Sequence, residues 1–284
     1  MPRLVNRFQS ALRLLVAVGV LCLSGFCFAG SPVLDRVVEN GVLRVAMSVD
    51  QPPFNMRSRN KSVIGFDVDL AQALAGAMQV KLEIVEVPFA DLLAALGDGK
   101  ADMVVSGMTI TAQRTRQVSF VGPYTLSGKS ILTTQRIKGV VKDGTEFNDP
   151  EIRVVALKNS TSETFVQRKL PEASMQPIAN YNEGIQMLLT GRIDAMVADI
   201  PILKLSMLRY PDAGLSMIEP PLSTEPIGIA IPSNDAQFEN LLRNYMSSLE
   251  KTGLTARLHQ KWFEENSWIA LLPGFIRKTR TTTR

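Results

Sequence analysis

The sequence predicts an α/β fold with a mostly parallel sheet, divided into two lobes of similar plan. Two observations carry this expectation. Apolar runs of strand length alternate with segments of helical periodicity from Gly41 onward, and one helix–turn–strand unit occurs twice about ninety residues apart.

The elements follow in order. "GVLRVAMSV" (Gly41 to Val49) reads as a buried strand bounded by Gly41 and by Pro52-Pro53. In "IGFDVDLAQALAGAMQ", Phe66, Leu70, Ala73, Leu74 and Ala77 recur at helical spacing, and Asp67 is placed to cap the first turn. "VKLEIVEVP" alternates as a strand, and "FADLLAALGDGKADMVVSG" reads as helix, glycine turn and strand. A second series opens near Ile152 with strand "IRVVAL", helix "TSETFVQRKL" and short strand "SMQPI". "YNEGIQMLLTGRIDAMVADIP" then gives helix, turn and strand again.

The internal match is short. Pairing Asp102 with Asp194 sets Leu96 on Leu188, Gly99 on Gly191, Val105 on Val197 and Ser106-Gly107 on Ala198-Asp199. Each lobe thus presents the carboxyl end of a strand, where open α/β sheets bind ligands. "SGKSILTTQ" (Ser127 to Gln135) leaves the first half and "EPIGIAIP" (Glu225 to Pro232) returns to it. The helical remainder, "FENLLRNYMSSLEKTGLTARLHQKWF", is expected to pack on the first lobe. The expected division is 1–29, 30–127, 128–225 and 226–284, the second and last forming one discontinuous lobe.

The first 29 residues have the layout of a secretory signal. Arg3, Arg7 and Arg13 precede the apolar "LLVAVGVLCLSGF", and small residues close the segment, with cleavage expected after Ala29. The apolar core is about 13 residues, short for a span of about 20. Leu21 and Phe26 precede Cys22 and Cys27 where a lipid-anchor site needs a small residue. Of 31 basic and 27 acidic residues, the signal removes three arginines and no acid, so the remainder is near neutral. The overall pI of about 9.1 therefore gives no argument for nucleic acid. Both cysteines lie in the signal, which leaves the exported part without disulfide or thiolate chemistry. His259 is the one histidine; it sits in the terminal helix and reads as structural or exposed.

The stretch "VVSGMTITAQRTR" (Val104 to Arg116) is the first candidate site. A strand ends at Ser106-Gly107, followed by Thr109, Thr111, Arg114 and Arg116. Free backbone N–H groups, a threonine hydroxyl and a planar guanidinium together suit a carboxylate. A helix opening over Thr109 to Arg114 would add a favourable dipole. Arg114 alone reads more readily as a solvated or structural arginine, and Arg116 reads as surface. Asp199 ends a strand of the second half, where it either holds an ammonium or caps the helix "IPILKL". In "LKNSTSETF", Ser160, Thr161 and Ser162 precede a helix, either as donors to an anion or with Ser160 or Thr161 as a simple cap. Phe54 and Phe89 follow strands of the first half, as core or as walls for an apolar group. Asp102 and Asp194 read as structural. The motifs G-x-S-x-G, H-E-x-x-H and the P-loop are missing, and nothing implies a metal or cofactor.

The strings "GFDVDLAQALA", "VPFADLLAALGDGKADMVVSGMTITAQRTRQVSFVGPY", "ALKNSTSE" and "GRIDAMVADIP" resemble the bacterial extracellular solute-binding proteins of the polar amino-acid type, which serve ATP-driven importers. The likeness runs from about Leu34 to Trp262. It implies a two-lobed periplasmic-binding-protein fold of type II, joined by a two-strand hinge that closes on ligand. It implies a monomer that delivers an α-amino acid to an ABC-type permease, and no nucleic acid. By motif match, Arg114 and the turn Ser106, Gly107, Thr109 would take the ligand carboxylate. Thr161 and Ser162 would add donors, and Asp199 would take the ammonium. Phe89, with Asp50 or Phe54, would meet the side chain. Gln51 stands where relatives often carry an aromatic, and Ser162 where a glycine is frequent. Some exported dehydratases share this scaffold, and Asp50 is the one evident proton donor near the aromatics, so an enzyme of that kind is the alternative.

Overall fold

The computed structural model describes residues 30–139 and 144–273. The proposed signal segment lies outside them.

A helix the sequence reading did not assign, α1 (Pro32–Asn40), leads into β1 (Val42–Met47). The backbone amides of Val33 and Leu34, in its first turn, donate to Asp235 at 2.8 and 3.2 Å. The same carboxylate caps α8 (Ala236–Lys251) by accepting from the Phe238 amide, so one acid serves two helix starts distant in sequence. A small antiparallel sheet follows, β2 (Asp50–Gln51), β3 (Asn55–Arg57) and β4 (Val63–Ile64), unforeseen because its strands are only two or three residues long.

The expected alternation then appears. α2 (Phe66–Ala77), β5 (Lys81–Glu86), α3 (Leu92–Gly97) and β6 (Met103–Val104) complete the first series. β1 pairs parallel with both β5 and β6. After a short α4 (Gln135–Lys138), the second series is β8 (Arg153–Leu157), α5 (Thr161–Lys169), β9 (Ser174–Ile178), α6 (Tyr181–Leu189), β10 (Ala195–Asp199), α7 (Ile200–Arg209) and β11 (Leu215–Met217). There β8 lies between β9 and β10, parallel to both.

Two long strands tie the series together. β7 (Ser119–Thr134) and β12 (Ser223–Ile231) run antiparallel, and the sheet order is β5-β1-β6-β12-β7-β10-β8-β9, with β11 on β7. The first half of β7 pairs with β12, and its second half also borders β10, with Lys129 opposite Asp199 in register. The architecture is the expected two-lobed α/β fold.

Each lobe buries an apolar core. One gathers Leu43, Val45 and Met47 of β1 with Leu70 and Leu74 of α2, and with Phe238, Trp262 and Trp268 from the chain's end. The Trp262 and Trp268 rings lie 5.3 Å apart, and the Trp262 indole N–H donates to Asp69. The other gathers Val154 and Ala156 of β8 with Val166 of α5 and Val197 of β10. The two acids matched in the sequence repeat do equivalent work. Asp102 accepts from the Arg44 backbone and guanidinium and pairs with Arg36, while Asp194 accepts from the Arg153 backbone and guanidinium. Each thus ties the start of one strand to its parallel neighbour in the sheet, β6 to β1 and β10 to β8. Among the described residues, no helix is long and apolar enough to cross a membrane.

Candidate functional site

The turn after β6 splits its polar groups between two tasks. Ser106 is fully buried, and its hydroxyl oxygen accepts from the Ser48 amide (3.0 Å) and from Asn55 Nδ2 (3.2 Å). Gly107 has φ +55°, and a Cβ there would meet Gln51 Oε1 at 2.8 Å and the Phe54 ring at 3.4 Å, so glycine is required. Its N–H donates to Asp67 Oδ2 at 2.9 Å. Asp67 does not cap α2, whose N-cap is Gly65. Its carboxylate is held instead by Asn55 Nδ2, Tyr124 Oη and that amide. Burial raises its pKa to about 6, with the three hydrogen bonds opposing. The Ser106 hydroxyl and the Gly107 N–H are therefore spent on the fold.

Beyond them the chain is clipped to β12, through Gly228 N–H to Met108 O and Ile110 N–H to Pro226 O. Thr109, between these clips, turns its hydroxyl outward to the second lobe. Thr109 Oγ1 and Thr161 Oγ1 each donate to Glu225 Oε2 at 2.8 Å, and lie 3.3 Å from one another. Arg114 crosses the same gap. Its Nη1 donates to Thr109 O (2.9 Å) and its Nη2 to Asn159 O (3.1 Å), with the guanidinium 5.6 Å from the Phe89 ring centroid. These contacts use two of five donors in the fork. Burial lowers the Arg114 pKa, against the attraction of Glu225 and Asp199. The expected helix over Thr109 to Arg114 does not form. Only a 3-10 turn, Arg114–Arg116, is present, so no α-helix dipole acts there. Arg116 is exposed, as read.

In the second lobe, Ser160 is the cap of α5, accepting from the Glu163 amide at 3.2 Å. That frees Thr161 for Glu225, while Ser162 Oγ is buried with no hydrogen-bond partner among the described residues. Asp199 is buried and makes no cap bond to α7. It accepts from Ser127 Oγ at 3.2 Å and pairs with Lys129 Nζ at 3.5 Å. Lys129, 1% exposed, also stands 3.2 Å from Glu225 Oε2. Burial alone would raise the Glu225 pKa; Lys129 and the two threonine hydroxyls outweigh it and leave the carboxyl below its ordinary range.

Asp50 joins this group from β2. Its carboxyl approaches the Tyr181 backbone at the start of α6, yet Oδ1 is buried with no hydrogen-bond partner among the described residues. Burial raises its pKa to about 6, against Ser48 and the amides of Asp50 and Tyr181. The Tyr181 hydroxyl is pushed well up by burial and by Asp199, Asp50 and Glu225. Phe54 belongs to the core, edge-on to Phe263 at 5.3 Å, the first of its two readings.

The structure thus gathers Asp50, Phe89, Thr109, Arg114, Thr161, Ser162 and Asp199 around one seam between the lobes, and assigns Phe54, Ser106 and Gly107 to the interior. It adds three residues the sequence reading did not single out: Lys129, Tyr181 and Glu225. A lysine inside the apolar run of "SGKSILTT" was the available signal for the first. The arrangement offers cationic and hydroxyl donors for an anion beside carboxylates for a cation. No group of acids and histidines among the described residues is placed to hold a metal.

Comparison with known proteins places this geometry in context. The cyclohexadienyl dehydratase of Pseudomonas aeruginosa is 27% identical over 231 residues, 81% of this chain and 86% of that protein. The L-arginine-binding protein of the same organism is 30% identical over 236 residues, covering 78% and 87%. Among solved structures, an ancestral amino-acid-binding protein described as a precursor of cyclohexadienyl dehydratase is 34% identical, with a TM-score of 0.75 and coverage of 81% and 99%. The family model for the bacterial extracellular solute-binding proteins, family 3, matches residues 43–265, and the chain belongs to that family.

Proposed function

We propose that the chain is an exported binding protein for an α-amino acid, delivering it in the periplasm to an ABC-type importer. The observation that carries this reading is the convergence of Arg114, Thr109 and Thr161, from two lobes, beside the carboxylate of Asp199. The remaining guanidinium donors suit a ligand carboxylate, and the acid suits an ammonium. The ligand's carboxylate takes the threonine hydroxyls in place of Glu225, which stays paired with Lys129. The amino-acid-binding relatives support the reading. Lobe boundaries at 30–127, 128–225 and 226–284, with β7 and β12 as the hinge, belong to the same proposal. A thermal-shift screen over the natural amino acids tests it, since a ligand at about 100 times its Kd stabilises by about 2.7 kcal/mol. No shift with any of them overturns it.

The dehydratase relative and the raised Asp50 pKa favour a second reading, an enzyme in which the Asp50 carboxyl donates a proton to a departing hydroxyl, which leaves as water while the ring carboxylate leaves as carbon dioxide and its bonding pair completes the aromatic ring. Incubation with prephenate or arogenate, with the aromatic product followed by absorbance, decides between them. Product formation abolished by Asp50→Asn establishes the enzyme; its absence leaves the binder.

A further inference from the structure

The seam carries more negative than positive charge. Asp50, Asp199 and Glu225 face Arg114 and Lys129, a net of one negative charge when all five are ionised. Lys129 is committed to Asp199 and Glu225 at 3.5 and 3.2 Å. Arg114, beside Phe89, gives two donors to backbone carbonyls and keeps the rest for the ligand's α-carboxylate. Asp50 has no ion-pair partner among the described residues, and its Oδ1 is buried without a hydrogen bond. An unpaired carboxylate oxygen removed from water is costly unless something completes it. A zwitterion held by its α-groups adds no net charge and leaves both the excess and the unpartnered oxygen in place. A ligand with one further positive charge cancels both.

We propose that Asp50 is the specificity residue of this site, its Oδ1 taking the side-chain cation of a basic α-amino acid. The proposal rests on the amino-acid reading above. It assigns selectivity to charge rather than to size, and to the first lobe rather than to Asp199. Asp50 accounts for pH dependence as well. Burial holds its pKa at about 6, among the fixed charges of Arg114, Asp199 and Glu225 and beside the Ser48 hydroxyl and Tyr181. The ionised form binds the cation, so preference for a cationic ligand is full above pH 6 and declines as pH falls through it.

Arginine and citrulline are nearly the same shape and differ by one charge, which makes them the probe pair. Calorimetric titration of the full exported chain at pH 7.5 is expected to give arginine or lysine a Kd at least about 30-fold below that of its neutral counterpart, citrulline or norleucine. In Asp50→Asn the ratio is expected to fall to within about 3-fold, with neutral ligands still bound. At pH 5 the parent's ratio is expected to shrink too, a measurement that needs no folded variant. Citrulline binding as tightly as arginine, or an Asp50→Asn ratio equal to the parent's, overturns the assignment and leaves the amino-acid reading standing. Binding of no amino acid at all overturns both.

Discussion

Replacing Lys129 by methionine keeps most of the side-chain volume and removes one positive charge from between two buried acids. The structure sets the scale of the effect. Lys129 is 1% exposed, and its Nζ lies 3.2 Å from Glu225 and 3.5 Å from Asp199, whose side chains are 15% and 10% exposed. Removing one partner of a buried ion pair costs about 3–5 kcal/mol, because the remaining charge stays desolvated. For a chain of this size 1 kcal/mol moves Tm by about 2–4 °C, so Lys129→Met is expected to melt roughly 6–20 °C below the parent. The sign of the pH dependence follows from Glu225. With Lys129 present its folded pKa lies below the ordinary 4.5, so it contributes stability above pH 4.5 that is lost as pH falls through the folded pKa. Without Lys129 burial dominates and the folded pKa rises above 4.5, so acid relieves the variant. Urea unfolding at pH 7 and pH 4 is expected to show a large deficit at the first and a smaller one at the second. A variant as stable as the parent at pH 7, or a deficit unchanged by acid, refutes the reasoning.

Three further outcomes rest on other groups. Asp67→Ala leaves the Tyr124 hydroxyl, Asn55 Nδ2 and the Gly107 amide without their acceptor, and is expected to lose about 2–4 kcal/mol in urea unfolding. Asp67→Asn retains an oxygen and loses less. The parent's Asp67, raised to about 6 by burial, also favours the folded state more as pH falls from 6 toward 3.8, a slope the Asn variant is expected to lack. Gly107→Ala forces φ +55° on a side chain that meets Gln51 and Phe54, and is expected to lower stability by at least about 1–2 kcal/mol by the same assay. Asp102→Ala is expected to lower Tm clearly more than Asp194→Ala, since Asp102 is 1% exposed between two arginines and the Asp194 pair is open to water.

Most of the fold was legible because its signals are local. Strands β1, β5, β8 and β9 and helices α2, α5 and α6 each announce themselves by periodicity within a dozen residues. The Asp102–Asp194 match located two equivalent structural acids, because both lobes solve the same strand-anchoring problem. What was not legible depends on partners far apart in sequence. Lys129 lies in an apolar strand and gains meaning only when the register sets it opposite Asp199 and beside Glu225, 70 and 96 residues away. Ser106 and Gly107 sit where a ligand clamp was expected, yet the Asn55 and Asp67 side chains draw them inward. Thr109 to Arg114 lacked the uninterrupted backbone of a helix because Thr109 is bridged to Ile227 of β12. Asp199 does not cap α7 because Lys129 and Ser127 hold its carboxylate.

On the proposed function, an amino acid binds in the seam with its carboxylate on the Arg114 fork. Calorimetric titration of Arg114→Lys and Arg116→Lys, with the amino acid that most raises the parent's Tm, tests it most directly. Arg114→Lys keeps the charge and loses the planar donors, and is expected to weaken binding by about 30-fold or more while remaining folded. Arg116→Lys, on the exposed side of the same turn, is expected to bind as the parent does. Arg114→Lys titrating with the parent's affinity would contradict the claim.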